Sequence, residues 1–333
     1  MSRCTSVFGL ALGLVVCAVI GVAPGFSPAL AALRGGARAE AQPAGSALGK
    51  DVKVVVTVLG HGENLPRALT PEDVFVYQNG ERRPVIDWKP IEANETGLDL
   101  AILVDDSLDS SVGNQWGDLK NFMRQLPPTT RVEVAYGMHG DATVVQSFTT
   151  GHDLAAKAIR LPLGRFNGAA SIYMSLTDLL KHWPAGENRR AVLVISDGLD
   201  LYRGVADSQA PLNPDLQQAI DEAQRTSTAI YTLFANGAGL YRRNVYLLGN
   251  GQDSLAMLAS ATGGDSYFQG FETPLAFAPY LEKLSTQLGQ QYVLTFRAQA
   301  DNAPRFDRLR VTTEQPGVKV VAPERVFVPG PAS

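Results

Sequence analysis

The spacing of apolar residues changes twice along the chain and divides it into three textures. Over residues 52–91, and again over 291–329, short runs alternate apolar and polar side chains, as in "EDVFVYQNGERRPVIDW" and "RFDRLRVTTE". Period-two alternation marks half-buried antiparallel strands, and Asn79-Gly80 is a turn pair whose backbone tolerates positive φ. Neither flank is long enough to close a core by itself. Together they are expected to form one small antiparallel β-sandwich, residues 51–95 supplying its first part and 289–330 its second.

Between the flanks the pattern is different. "LDLAILVDD", "RRAVLVISDG" and "TAIYTLFAN" are almost continuously apolar, as strands buried on both faces must be. Stretches of helical spacing separate them. Trp116, Leu119, Phe122, Met123 and Leu126 recur at three and four residues, and Asn213-Pro214 opens a second such stretch. Further helices are predicted over 152–161, 171–183, 253–261 and 275–288, with a hairpin turning at 139–141. Gly263-Gly264 is a helix stop. The expected class is therefore α/β: a doubly wound, mostly parallel sheet over residues 96–288, inserted into the sandwich.

The first residues have a third texture. Arg3 precedes an unbroken apolar run over 7–23, and the small-residue sites "ALA" and "AEA" follow. This reads as a signal peptide or an uncleaved membrane anchor over residues 1–41, with a Pro/Gly/Ala linker over 42–50. Export is the expectation, to the periplasm or beyond the cell, with membrane attachment only through an uncleaved N-terminal segment. Both cysteines, Cys4 and Cys17, fall in that leader, so a processed chain would hold no thiol chemistry.

Composition then removes several classes of function. The formal net charge is -4 over 333 residues, which gives no general attraction to nucleic acid. The four histidines, at 61, 139, 152 and 182, have no ligand spacing. No G-x-S-x-G elbow, phosphate-binding loop or dinucleotide fingerprint occurs. An enzyme is not expected.

What remains is acid at strand ends. "ILVDDSLD" and "LVISDGLD" both close a buried strand on carboxylates, so Asp105 and Asp197 would emerge together if those strands are neighbours. With Ser107 and Asp109 they offer hard oxygen donors only, suited to Mg²⁺, Mn²⁺ or Ca²⁺.

These motifs, with "NGAASIYMSL" and "TGGDSYF" in the same order, resemble the von Willebrand factor A-type (vWA) domain. More narrowly, the chain resembles exported bacterial vWA-related proteins with β-rich flanks. The resemblance implies a metal-ion-dependent adhesion site built on D-x-S-x-S, a threonine in a second loop and an aspartate in a third, which leaves a coordination position for a partner's carboxylate. Asp105, Ser107 and Asp197 match. Asp109 stands where the second serine belongs, and alignment through Tyr173 puts Ala170 in place of the threonine, with Ser171 one residue late. The implied site is degenerate: it holds one divalent cation or none, and three crowded carboxylates without metal would repel. The bland reading is that Asp105, Asp106 and Asp109 cap the next helix.

For partner contact, the glycine-rich stretch 237–252 carries Tyr241, Arg242 and Arg243 after a strand, and "DGLDLYRG" carries Tyr202, residue types that anchor interfaces. The expected function is an exported, non-enzymatic adhesion or binding module that recognises a protein through rim loops. The alternative is an envelope scaffold or assembly protein whose acidic site is vestigial and metal-free.

Overall fold

A computed structural model describes residues 49–60, 68–92, 97–164, 171–239 and 243–330. The apolar run over 7–23 lies outside them. Among the described residues no helix is long and apolar enough to cross a membrane.

The two flanks do build one body. Strand β1 (Gly49–Gly60) pairs antiparallel with β11 (Gln291–Gln299), joining segments more than two hundred residues apart. β4 (Val85–Pro90) and β13 (Val318–Val321) complete that sheet in the order β13-β1-β11-β4. The facing sheet has the order β14-β12-β2-β3, from β14 (Arg325–Val328), β12 (Arg305–Thr313), β2 (Val74–Gln78) and β3 (Glu81–Arg83). Asn79 and Gly80 turn between β2 and β3 at φ 51° and 87°, as the hairpin signal predicts. Alternate residues such as Val54, Val56, Val76, Leu294, Phe296 and Val311 fill the space between the sheets.

One polar group sits in that core and is fully answered. Asp307 is buried and accepts from Gln78 Nε2 at 2.6 Å and Asn79 Nδ2 at 2.8 Å, with Arg305 Nε at 2.9 Å. Burial alone would raise its pKa, but these three donors hold it below the ordinary carboxylate value.

The central body is a six-stranded sheet, β10-β9-β8-β5-β6-β7, formed by β5 (Leu98–Asp105), β6 (Thr130–Met138), β7 (Asp141–Thr149), β8 (Arg189–Ser196), β9 (Thr228–Phe234) and β10 (Ser266–Tyr267). All pairs are parallel except β6 with β7, whose hairpin turns at His139-Gly140. Renumbered within the sheet, this is the doubly wound order 3-2-1-4-5-6, reversing direction between β5 and β8. Side chains of β5 alternate between two cores, Leu100, Ile102 and Val104 on one face and Ala101 and Leu103 on the other.

Six helices cover the faces: α1 (Trp116–Gln125), α2 (His152–Ala158), α3 (Ile172–Lys181), α4 (Pro214–Arg225), α5 (Val245–Thr262) and α6 (Ala278–Gly289). Two differ from expectation for identifiable reasons. α2 stops at Ala158 rather than 161, because the following backbone turns extended so that Arg160 can exchange hydrogen bonds with the Tyr136 hydroxyl at 2.7 and 2.8 Å. α5 starts eight residues before its predicted beginning, capped by Asn244, whose side chain accepts from Tyr246 N and Leu247 N. Gly249 and Gly251 weaken the local helix signal. Gly251 is needed for packing, since a Cβ there would overlap the Asp197 carbonyl.

The sandwich docks at the end of the sheet opposite the loops that follow the parallel strands. Arg189 Nη1 donates to the Gln291 side chain, Glu324 N to Ala261 O at 3.1 Å, and Arg325 pairs with Asp221 at 2.5 Å. At the far end of the sandwich, Gly49 faces Gln299 and Lys50 Nζ reaches Gly330 O at 2.9 Å. The loops at the carboxyl ends of the parallel strands, called the rim below, therefore lie at the pole away from both ends of the described chain.

Glu133, on β6, is buried beside Asp99, itself clamped by Arg131 at 2.7 and 2.5 Å. Burial first, and the Asp99 charge second, push the Glu133 pKa up to about 7. The native state thus holds a proton that the unfolded chain releases near 4.5, so stability is highest below that pH and falls as pH rises through 7. Glu133→Gln is expected to remove this part of the slope and to stabilise the protein at pH 8 by about 1–3 kcal/mol. Urea titrations of both proteins at pH 5 and 8 measure it, and equal stabilities at pH 8 would refute it.

Candidate functional site

The reversal point of the sheet lies between β5 and β8, and it brings the two sequence-distant acids together. Val104 pairs with Ile195, so Asp105 ends one strand beside the other strand's last residue, Ser196. Ser196 Oγ donates to Asp105 Oδ2 at 2.7 Å and accepts from Gly198 N at 2.9 Å. Ser107 closes the other side, its backbone N and Oγ both donating to Asp105 Oδ1, at 2.9 and 2.6 Å.

Asp197 follows at once. Its Oδ1 accepts from Leu199 N at 2.9 Å, and its other oxygen lies so close to Gly237 that a Cβ there would overlap it. The loop after β9 is stitched to the loop after β5 at the same point: Asp109 N donates to Asn236 O and Ala238 N to Ser107 O, both at 2.9 Å.

Asp105 and Asp197 are both buried. Burial raises the Asp105 pKa against the hydrogen bonds from Ser107 and Ser196. Burial, followed by the charge of Asp105, pushes Asp197 up to about 7. Two carboxyls therefore share a low-dielectric crevice with no basic side chain paired to either among the described residues.

Asp109 and Asp106 do not join them. Asp109 is the N-cap of the 3-10 turn Ser110–Gln115, its Oδ1 accepting from Ser111 N at 2.9 Å. The capping reading of this residue is the one the geometry supports. Asp106 points to the opposite face, where Arg160 grips it through Nη1 at 2.7 Å and Nη2 at 2.8 Å and Leu163 N adds a third bond at 2.9 Å. The Arg160 guanidinium also lies 3.7 Å over the Tyr136 ring. After Asp105 the chain uses Asp106 as a tether and one oxygen of Asp109 as a cap.

A third acid does approach the pair, one that sequence reasoning passed over. Asp200 is buried, accepting from Ser171 Oγ at 2.7 Å, Tyr202 N at 2.9 Å and Asn213 Nδ2 at 3.2 Å. Its signal was present in "SDGLD", three residues after Asp197. Ser171 caps α3 by accepting from Tyr173 N at 3.2 Å, so its hydroxyl is committed to the helix start and to Asp200. Tyr173 donates to Gly198 O at 2.7 Å; burial, with the charges of Asp200, Asp197 and Asp105 behind it, raises its pKa well above 10.

Two carboxyls and the Ser107 hydroxyl converge, fewer oxygens than a closed cage of protein donors would supply, and a divalent cation held by them would keep several waters. One oxygen of Asp109 is used in its own turn. Position 170, where the resemblance implies a threonine, is alanine and lies outside the described residues. No three carboxylate, imidazole or thiol groups among the described residues come together to hold a metal. Of the expected partner contacts, Tyr202 is 47% exposed on the loop after β8 and Arg243 is exposed at the start of α5. Tyr241 and Arg242 lie outside the described residues.

No family model matches the sequence, and no curated protein matches it. Among solved structures, the chain is similar to von Willebrand factor type A from Catenulispora acidiphila, at 11% identity and a TM-score of 0.40, over 87% of this chain and 75% of that one. It is similar to the conserved hypothetical protein BatB from Bacteroides thetaiotaomicron, at 12% identity and a TM-score of 0.41, over 58% and 97%. It also resembles the vWF domain of the type V pili tip protein Mfa5 from Porphyromonas gingivalis, at 11% and 0.38, over 58% and 95%. Likenesses at this level carry no functional argument; the vWA-like architecture stands on the strand order and the crevice described above.

Removing Arg160 would leave Asp106 buried and uncompensated. Arg160→Met is expected to cost about 2–4 kcal/mol, and adding Asp106→Asn should restore at least about half of it. Denaturant melts of the single and double variants measure both, and a single-variant cost below about 1 kcal/mol would show that the tether is dispensable.

Proposed function

We propose that this protein is an exported, non-enzymatic binding module that recognises a protein partner through its rim loops and needs no metal to do so. The export part rests on the leader-like residues 1–41. The binding part rests on where the exposed apolar surface lies.

Fourteen large apolar side chains are exposed among the described residues, and ten of them sit on segments at the carboxyl ends of the parallel strands. Leu161 follows α2, Tyr202 follows β8, Tyr246 opens α5, and Phe271 and Leu275 follow β10. Leu275 is 98% exposed. Its backbone is nevertheless fixed, since Gln115 Nε2 donates to its carbonyl at 3.3 Å and Asp118 Oδ2 accepts from Phe277 N and Ala278 N at 2.9 and 3.0 Å. A single exposed leucine is ordinary, whereas many large apolar side chains on the loops of one pole are the kind of surface that marks a protein-interaction site. This concentration of apolar side chains at one pole is the observation that carries the proposal.

The Asp105–Asp197 pair then acts as a brace. It ties the loops after β5, β8 and β9 into one platform through its hydrogen bonds to Ser107, Ser196, Leu199 and Gly237. The scaffold alternative shares the metal-free site, and the Asp109 cap favours that feature. It does not account for the apolar rim.

A photo-crosslinking amino acid placed at Leu275 is expected to capture a discrete protein in cell-envelope extracts, and the same group at Ile86 on the sandwich is expected to capture none. Equal labelling from both positions would refute recognition at the rim. Separately, the Tm is expected to stay within about 1 °C between EDTA and millimolar Mg²⁺, Mn²⁺ or Ca²⁺. A native-state site saturated a hundredfold would add about 2.7 kcal/mol, several degrees for a chain of this size, and such a shift would overturn the metal-free reading.

A further inference from the structure

The sandwich carries a surface of a different kind, on the outer face of the β14-β12-β2-β3 sheet. Inward residues of these strands are apolar apart from the bonded Gln78 and Asp307; the outward ones are mostly aromatic or basic, with Thr312 beside Phe75. Phe75 and Tyr77 project from β2 and are half-buried, and Phe306 packs on Phe327 across β12 and β14 at 5.3 Å between ring centres. Among them stand the exposed arginines 82, 308 and 310.

Register places these groups together. Arg310 and Arg82 flank Tyr77 on the neighbouring strands. The Arg310 guanidinium lies 4.4 Å over Tyr77, and that of Arg82 lies 4.5 Å over Phe75. With strands about 4.8 Å apart and about 3.4 Å of rise per residue, Arg310 sits about 10 Å from Arg82 and about 7 Å from Arg308. Among the described residues none of the three makes an ion pair. The acid nearest in sequence, Asp307, points into the core, and Glu81 is paired with Arg83. A hollow of 510 Å³ opens between Tyr77, Asn79, Gly80, Arg308 and Arg310. The formal net charge of -4 conceals this local excess of positive charge.

We propose that this face binds an acidic polysaccharide. Guanidinium groups pair bidentately with carboxylate or sulfate, and three of them at fixed spacing on a flat sheet match anionic groups repeated along a polymer. Ring hydroxyls of the polymer can bond the Tyr77 phenol in the hollow. Two other polyanions fit less well. Insertion into a lipid surface needs exposed large apolar side chains, and none of the fourteen lies on these four strands. Single-stranded nucleic acid needs bare aromatic faces for stacking, and those of Phe75 and Tyr77 are covered by guanidinium. The site is independent of the rim and of the function proposed for it.

Fluorescence anisotropy of the full chain with labelled polygalacturonate oligomers tests the assignment, with neutral dextran as control. Binding is expected for polygalacturonate alone, and it should weaken about tenfold between 50 and 200 mM salt, as a few released counterions require. The variant R82Q/R308Q/R310Q is expected to lose at least about tenfold in affinity, and Arg310→Gln alone about threefold, which guards against a folding defect in the triple variant. Lys319→Gln, which removes an exposed cation from β13 on the other sheet, should change the affinity less than about twofold. The proposal is overturned by no binding of polygalacturonate, by unchanged affinity in a triple variant of native Tm, by a loss in Lys319→Gln as large as in Arg310→Gln, or by tighter binding of single-stranded DNA or phosphatidylglycerol vesicles.

Discussion

Everything at the rim depends on one pairing, that of β5 with β8. Both strands are buried on both faces, so a charged side chain within them needs a partner, as Asp99 has in Arg131, and the central residues are apolar. The two strands run parallel but the order in which strands are added reverses between them, and the loops that follow run to opposite faces and leave a crevice. Asp105 and Asp197 enter that crevice at the carboxyl ends of the two strands. Hydroxyl and backbone donors are supplied there by Ser107, Ser196, Leu199 and Gly237. The acids hold the loops, and the loops carry the exposed apolar side chains.

The same economy governs the acids that do not converge. A carboxylate buried without partners is expensive, so each finds its own solution. Asp106 takes a bidentate arginine from a segment more than fifty residues away, which ends α2 early and pins the backbone beneath Leu163. Asp200 takes a serine and an asparagine, each of which also caps a helix. These local settlements leave Asp105 and Asp197 hydrogen-bonded to hydroxyl and backbone donors of the loops around them.

The sandwich contributes position as well as stability. Because β1 pairs with β11, the ends of the described chain are drawn to one pole and the rim is carried at the other. Its outer sheet adds a basic, aromatic face to a protein that is acidic as a whole.

Much of the architecture was legible in the residue pattern. Period-two alternation marked the flanks, continuous apolar runs marked β5, β8 and β9, and Asn213-Pro214 and Gly263-Gly264 marked helix ends, because each depends on burial or on backbone chemistry within a few residues. The acids at the two strand ends were legible for the same reason. Three features were decided only in three dimensions: the direction in which Asp106 turns, the early start of α5 through a stretch whose Gly251 packs against Asp197, and the row of arginines on β3 and β12. Each depends on a contact between segments tens to hundreds of residues apart, and no local pattern encodes such a contact. The order of polar and apolar residues therefore determined which elements form and which ends bear charge. Tertiary packing alone decided which charges meet, since a carboxylate's partner is set by what the fold brings within about 3 Å of it.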